Sequence, residues 1–93
     1  MYLEIVTPEA MVFQADVDAV KVPGINGEFQ MLNNHAPIVS TLTDGTVKIN
    51  LASASTEIEK LSSDFKQEGK ELFYDIKGGV LEMKDNKAII LAD

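Results

Sequence analysis

The chain has 93 residues, 45% of them hydrophobic, and a formal net charge of −7. This length and apolar content predict one folded domain and argue against disorder. The acidic balance disfavours binding to nucleic acid or to an anionic bilayer, because like charges repel. Its partners are then proteins with neutral or basic surfaces, unless the acidity serves only to maintain solubility.

The absence of certain residues and patterns excludes several other classes of protein. There is no cysteine, so a disulfide framework and a thiolate metal site are excluded. No apolar run is long enough to span a bilayer, and the N-terminus has no signal-peptide pattern.

The first two predicted strands cover residues 2–7 and 11–22. They are joined by a turn at 8–10, and we expect a break in the second strand near 14–16. The alternation of apolar residues changes parity between Ala19 and Val20. Because a shift of one residue moves side chains to the other face, we expect a bulge or sheet crossing there.

Residues 20–37 contain the densest group of turn formers. Pro23 lacks a backbone donor and is expected to end the strand, while Gly24 and Gly27 can take positive φ in a tight reversal. A short strand is predicted over 28–32, followed by a turn at 33–34 and a new strand launched by Pro37. The stretch thus predicts a pair of shaped loops that display Glu28 and His35.

The central region contains two different patterns. Residues 38–42 and 46–51 read as strands, and the Asp44-Gly45 pair between them is typical of a hairpin. Residues 53–70 differ: a capping-box pattern at 56–59 is followed by apolar residues at helical spacing. We predict one short amphipathic helix over 57–67, which either covers the core of the domain or docks a partner helix.

The C-terminal region returns to strand patterns, at 71–77, 80–84 and 87–92. Gly78 and Gly79 are expected to mark a corner with close backbone approach, and Asp85-Asn86 a hairpin turn. Short, evenly spaced runs without a βαβ rhythm predict a mainly β fold, an antiparallel β-sandwich or flattened barrel with one short helix.

The sequence does not contain a convincing set of catalytic side chains. His35 is the only histidine and could pair with Glu28 as a base, but no serine lies in a nucleophile motif. We expect no enzyme, no cofactor and no metal site. His35 is then either a turn residue that bonds the loop backbone or an interface residue. Met31 is most simply a core residue.

Three sequence features together resemble the epsilon subunit of the F-type ATP synthase. They are Val22-x-Gly24-x-x-Gly27-Glu28 followed by His35-Ala36-Pro37, the C-terminal region from Gly78-Gly79 to Asp93, and the opening from Leu3 to Glu9 with Phe13. They cover nearly the whole chain in the expected order, as the N-terminal β-sandwich domain of that subunit. Lys77 and the insert at 53–70 depart from the family pattern.

The resemblance implies a non-catalytic rotor subunit that couples rotation to ATP synthesis. It would bind the gamma subunit and the membrane ring from the cytoplasmic face of a bacterial membrane, as a monomer when isolated. Carried over by position, Glu28, Phe29, Met31 and His35 would contribute to the surface facing these partners. We expect a short form without the C-terminal helical hairpin, and therefore no inhibition of hydrolysis and no ATP binding. The alternative is an unrelated β-sandwich module that binds a protein or a sugar.

Overall fold

The computed structural model describes residues 1–52 and 65–93, which form nine strands and no helix. The strands are β1 (Tyr2–Val6), β2 (Met11–Gly24), β3 (Gly27–Leu32), β4 (Ile38–Leu42), β5 (Gly45–Leu51), β6 (Phe65–Glu68), β7 (Glu71–Ile76), β8 (Gly79–Lys84) and β9 (Lys87–Ala92). The predicted mainly β class is confirmed, but the sheet is not wholly antiparallel as predicted, because β1 and β9 pair in parallel.

The strands form a β-sandwich because β2 contributes to two layers. Its first half pairs with β1, while its second half pairs with β3 and β5. The first layer contains the strands β1, β9, β8 and β4, hydrogen-bonded in that order. The other layer contains β5, β7 and β6, also in that order. The register with β5 shifts between Val17 and Ala19, next to the predicted position of the irregularity. The expected break at 14–16 is wrong, since Gln14 and Asp16 are paired with β1 throughout.

The space between the layers is filled by one cluster of apolar side chains. Strict alternation along β5 and β7 places every second residue in it, as the pattern predicts: Val47, Ile49, Leu51, Leu72, Tyr74 and Ile76 are buried. Among the described residues no polar or charged side chain is buried. Burial of apolar surface on this scale is the main stabilising contribution to such a fold.

The hairpin between β2 and β3 corrects the role assigned to Pro23. The strand continues through Pro23 to Gly24, and the reversal is made by residues 25–26. The Pro23 carbonyl accepts a hydrogen bond from the Thr43 N–H, at 2.8 Å, on the side away from β3. The missing N–H therefore lies on that side too, so proline removes no bond between β2 and β3.

The two glycines of this hairpin have different roles. Gly27 has the predicted positive φ, at 124°. Gly24 does not, and it is required by close approach instead. A Cβ atom there would lie 2.7 Å from the Gly27 carbonyl oxygen and 2.8 Å from the Phe29 ring.

The predicted hairpin at Asp44-Gly45 is wrong. β4 pairs with β8 and, at its end, with β2, whereas β5 pairs with β2 and β7. The segment is therefore a corner between layers, and Gly45 does not have positive φ. A Cβ atom at Gly45 would lie 2.7 Å from the Cβ of Pro23. Close packing explains this glycine better than turn geometry does.

The structure describes only the last three residues of the helix predicted over 57–67, and these are not helical. Residues 57–64 lie outside the described residues, and 65–67 belong to strand β6, which pairs with β7. The physical reason is aromatic packing: the Phe65 ring lies 4.5 Å from that of Tyr74 and 5.9 Å from that of Phe13, centroid to centroid. Gly69, with φ of 61°, makes the β6–β7 turn instead of ending a helix.

The C-terminal predictions are confirmed. Strands β8 and β9 form an antiparallel hairpin whose turn residues, Asp85 and Asn86, have φ of 53° and 60°. This is the positive-φ geometry that two-residue hairpins favour. At Gly79, the first residue of β8, an added Cβ atom would lie 2.3 Å from the Leu91 carbonyl oxygen.

Candidate docking surface

Glu28 and Phe29 lie at the start of β3, beside the 25–26 turn. Glu28 is exposed, and its carboxylate forms an ion pair with Lys21 Nζ on the neighbouring strand, at 3.2 Å. Phe29 is half-buried and packs against the core. Met31 is fully buried, as its core interpretation predicts, and so contributes no side-chain area to a surface.

His35 lies beyond the other end of β3. Its backbone N–H donates to the Leu32 carbonyl, at 3.2 Å, and its ring Nδ1 lies 2.7 Å from the Ala36 carbonyl oxygen. The loop is held by the opposite turn, because the Asn34 N–H donates to Asn86 Oδ1, at 2.7 Å. These bonds match the interpretation of His35 as a turn residue.

The structure therefore does not bring Glu28 and His35 together. Glu28 pairs with Pro23 near the hairpin end, whereas Leu32, next to the His35 loop, pairs with Ala19. Four strand steps separate Glu28 from Leu32, or about 13 Å at the usual rise per residue. Among the described residues no three His, Cys, Asp or Glu side chains converge on a possible metal site.

An apolar face on the outside of the first layer is the most prominent feature that sequence reasoning missed. Its members are exposed, large and close in register: Met11, Val39, Val80 and Leu91 are 48%, 70%, 41% and 53% exposed. We call these four residues the apolar face.

The strand register shows that the apolar face is continuous. Val6 is directly opposite Met11 on one side and Leu91 on the other, and Leu91 is opposite Val80. Val39 belongs to the next row, opposite Glu82. Contiguous exposed apolar side chains on a small domain indicate a site of protein contact.

Charged groups border the apolar face. Glu4, which lies in the same cross-strand row as Val39, forms an ion pair with Lys87 Nζ at 3.0 Å. Lys87 Nζ also lies 5.8 Å from the centroid of the Tyr2 ring. Lys84 is directly opposite Lys87 on the same outer side. An apolar centre with a polar rim is the usual composition of a protein interface.

One signal in the sequence could have indicated this face. The segment 87–92 is Lys-Ala-Ile-Ile-Leu-Ala, which is apolar at both parities after its first residue. Strands that are apolar on both sides are typically covered on both sides. Ala88 and Ile90 enter the core, so Leu91 is left on the outside without a described cover.

The sequence of the chain is similar to those of known proteins. Residues 1–63 match the family described as ATP synthase, delta/epsilon chain, beta-sandwich domain. The chain is 34% identical over 91 residues to the ATP synthase epsilon chain of Chlorobaculum tepidum, covering 98% of this chain and 86% of that one. It is 37% identical to that of Pelotomaculum thermopropionicum, of which it covers 56%.

The fold also has a solved counterpart. A chain in the central stalk and c-ring structure of the Tetrahymena thermophila mitochondrial ATP synthase superposes with a TM-score of 0.73. The match covers 99% of this chain and 62% of that one at 20% identity, so it establishes similarity of fold. Within residues 1–52 and 65–93 no helix is long and apolar enough to cross a membrane.

Proposed function

The chain belongs to the family of ATP synthase delta/epsilon chains, and from this membership we propose that it is a non-catalytic subunit of the central stalk of an F-type ATP synthase. The observation that carries the proposal on the structural side is the apolar face, which is built for contact with a protein. The alternative of an unrelated binding module has no support among the relatives. In this role the subunit transmits rotation, for which a close-packed sandwich is suited because it deforms little.

The two surfaces of the domain fit two partners. We assign the apolar face to the gamma subunit, because a permanent interface buries more apolar area than a transient one. The polar side chains of Glu28 and His35 are assigned to the membrane ring, and Phe29 is assigned to the boundary between the ring and the gamma subunit. Met31 supports this surface from beneath, since it belongs to β3 and its side chain is fully buried in the core.

We also propose a domain organisation and a cellular location for the chain. The 93 residues constitute one domain of epsilon type in which 53–70 is an insert, and the isolated domain is a monomer. The subunit is peripheral to the membrane and lies at the cytoplasmic face of a bacterial inner membrane, where the stalk meets the ring.

Co-purification tests the function. Tagged chain is mixed at low salt with the gamma subunit and ring of the same enzyme, and bound proteins are identified after washing. We expect stoichiometric capture of the gamma subunit by the chain. Failure to capture it under these conditions would overturn the stalk assignment.

A charge reversal at Glu28 tests the assignment of the loop surface. Glu28→Lys is expected to weaken coupling to the ring, measured as proton pumping per ATP hydrolysed in reconstituted enzyme. The free chain should lose less than about 1 kcal/mol of stability, because the Lys21 ion pair is solvent-exposed. Glu28→Gln is the control that removes charge without reversing it, and its effect should be smaller. A steep fall of the melting temperature in Glu28→Lys would instead assign Glu28 a structural role.

A further inference from the structure

The outward side of β3 carries backbone groups without a described partner. In the described residues β3 pairs with β2 alone. Antiparallel partners alternate between bonded and non-bonded pairs, and the two-residue turn makes Gly24 and Gly27 a bonded pair. Glu28 and Gln30 are then non-bonded positions, so their N–H and C=O groups point away from β2.

Two observed hydrogen bonds support this orientation. Pro23, directly opposite Glu28, uses its carbonyl on the side away from β3, where Thr43 donates to it. Leu32, two residues beyond Gln30, uses its carbonyl on the outward side of β3, where His35 donates to it. Within residues 1–52 and 65–93, nothing bonds to the outward N–H and C=O groups of Glu28 and Gln30, so this part of β3 is an open strand edge there.

This edge lacks the features that usually protect one. Exposed edges typically carry lysine or proline, or are broken by a bulge. β3 is Gly-Glu-Phe-Gln-Met-Leu, and its register with β2 is unbroken over six residues. By contrast β6, the last strand of the other layer, has only four residues and carries Lys66 and Glu68. Glu28 is the one charged residue on β3, and its carboxylate already forms an ion pair with Lys21 on the adjacent strand β2.

Apolar side chains lie on both faces beside the edge. Leu32 is 57% exposed on the outer face, and Phe29 is only half-buried on the inner one. A strand placed against β3 would thus gain backbone hydrogen bonds and an apolar contact on either side. The net charge of −7 favours an uncharged or basic strand over an acidic one.

We propose that β3 is completed by strand addition. The added strand is an extended, uncharged or basic segment of the gamma subunit, bonded to the backbone of Glu28 and Gln30, while the side chain of Glu28 remains available to the ring. The inference rests on the proposed stalk function and specifies how one of its contacts is made. Apolar residues of the segment cover Phe29 and Leu32.

Proline at position 30 tests this directly, because it removes one outward N–H and leaves the bonds between β2 and β3 intact. Gln30→Pro is compared with Gln30→Ala, which changes the side chain but keeps the donor. Binding to gamma subunit with ring is measured by titration. We expect at least a tenfold loss of affinity for Gln30→Pro and less than a twofold change for Gln30→Ala.

Hydrogen exchange on the unaltered chain gives a second measurement that does not depend on the variant folding. The amides of Glu28 and Gln30 should exchange at least tenfold more slowly in the assembled stalk than in the free chain. Unchanged exchange, or equal affinities of a folded Gln30→Pro and Gln30→Ala, would overturn strand addition. So would a dimer of the free chain that Gln30→Pro abolishes, because the added strand would then be a second copy. If the unaltered chain captures no gamma subunit, the stalk function itself fails.

Discussion

Leu91→Asp should abolish stable capture of the gamma subunit while leaving the fold intact. Leu91 is 53% exposed at the centre of the apolar face, between Val6 and Val80. An aspartate there costs the free chain little, because water solvates the carboxylate. In the complex the same carboxylate would be buried without a partner, at a cost of several kcal/mol. We expect the dissociation constant to rise at least tenfold, measured by titration of purified gamma subunit.

The matched control is Gln67→Asp, which adds the same charge at an exposed position on β6, in the other layer. Its affinity for the gamma subunit should stay within twofold of the unaltered chain. Comparable losses in the two variants would indicate a general charge effect and contradict the assignment of the apolar face. Melting temperatures of both free variants verify that neither has lost its fold.

Gly79→Ala is expected to destabilise the domain more than any exposed substitution. The added Cβ would lie 2.3 Å from the Leu91 carbonyl oxygen, and the residue has φ of 152°. Both backbone segments belong to the β8–β9 pair, so neither can move without breaking strand hydrogen bonds. Steric overlap and backbone strain together should cost about 3 kcal/mol or more. For a domain of this size that lowers the melting temperature by roughly 12 °C or more.

Gly69→Ala separates the two causes. Gly69 also has positive φ, 61°, but a Cβ atom there meets nothing within 4 Å. Only backbone strain is introduced, at about 1–2 kcal/mol. Equal losses of stability in Gly69→Ala and Gly79→Ala would show that close approach at Gly79 is unimportant. A melting curve of each variant, monitored by circular dichroism, decides between these outcomes.

Local patterns predicted local structure well. Alternation of apolar residues is set by the geometry of a single strand, so the inward positions of β5 and β7 follow from sequence alone. The same holds for the turn at Asp85-Asn86, where both residues adopt the positive φ that the hairpin requires. These features depend on neighbours along the chain and not on which strands meet.

Predictions that depended on strand pairing were less successful. Asp44-Gly45 carries hairpin residues, yet its flanking strands belong to different layers, and the glycine is needed for contact with Pro23. Phe65 fits a helical spacing, but stacking on Tyr74 stabilises it in a strand. Tertiary contacts outweighed local preference in both cases.

The candidate site shows the same division. Glu28 could be predicted to be exposed, because it follows a glycine turn, and Met31 to be buried. The apolar face could not be predicted, since its members come from four strands whose order is set by the sheet. Likewise, the open edge of β3 becomes visible only when the partners of β2 are known.

Methionine oxidation in the free and assembled subunit tests the docking account most directly. Met11, on the apolar face, is 48% exposed, while Met1, Met31 and Met83 are exposed by 7%, 0% and 1%. Mild peroxide treatment of the free chain should therefore oxidise Met11 alone, as read by peptide mass spectrometry. In the assembled stalk, Met11 should be protected at least tenfold. Equal oxidation of Met11 in the free chain and in the stalk would contradict the claim that this face binds a partner.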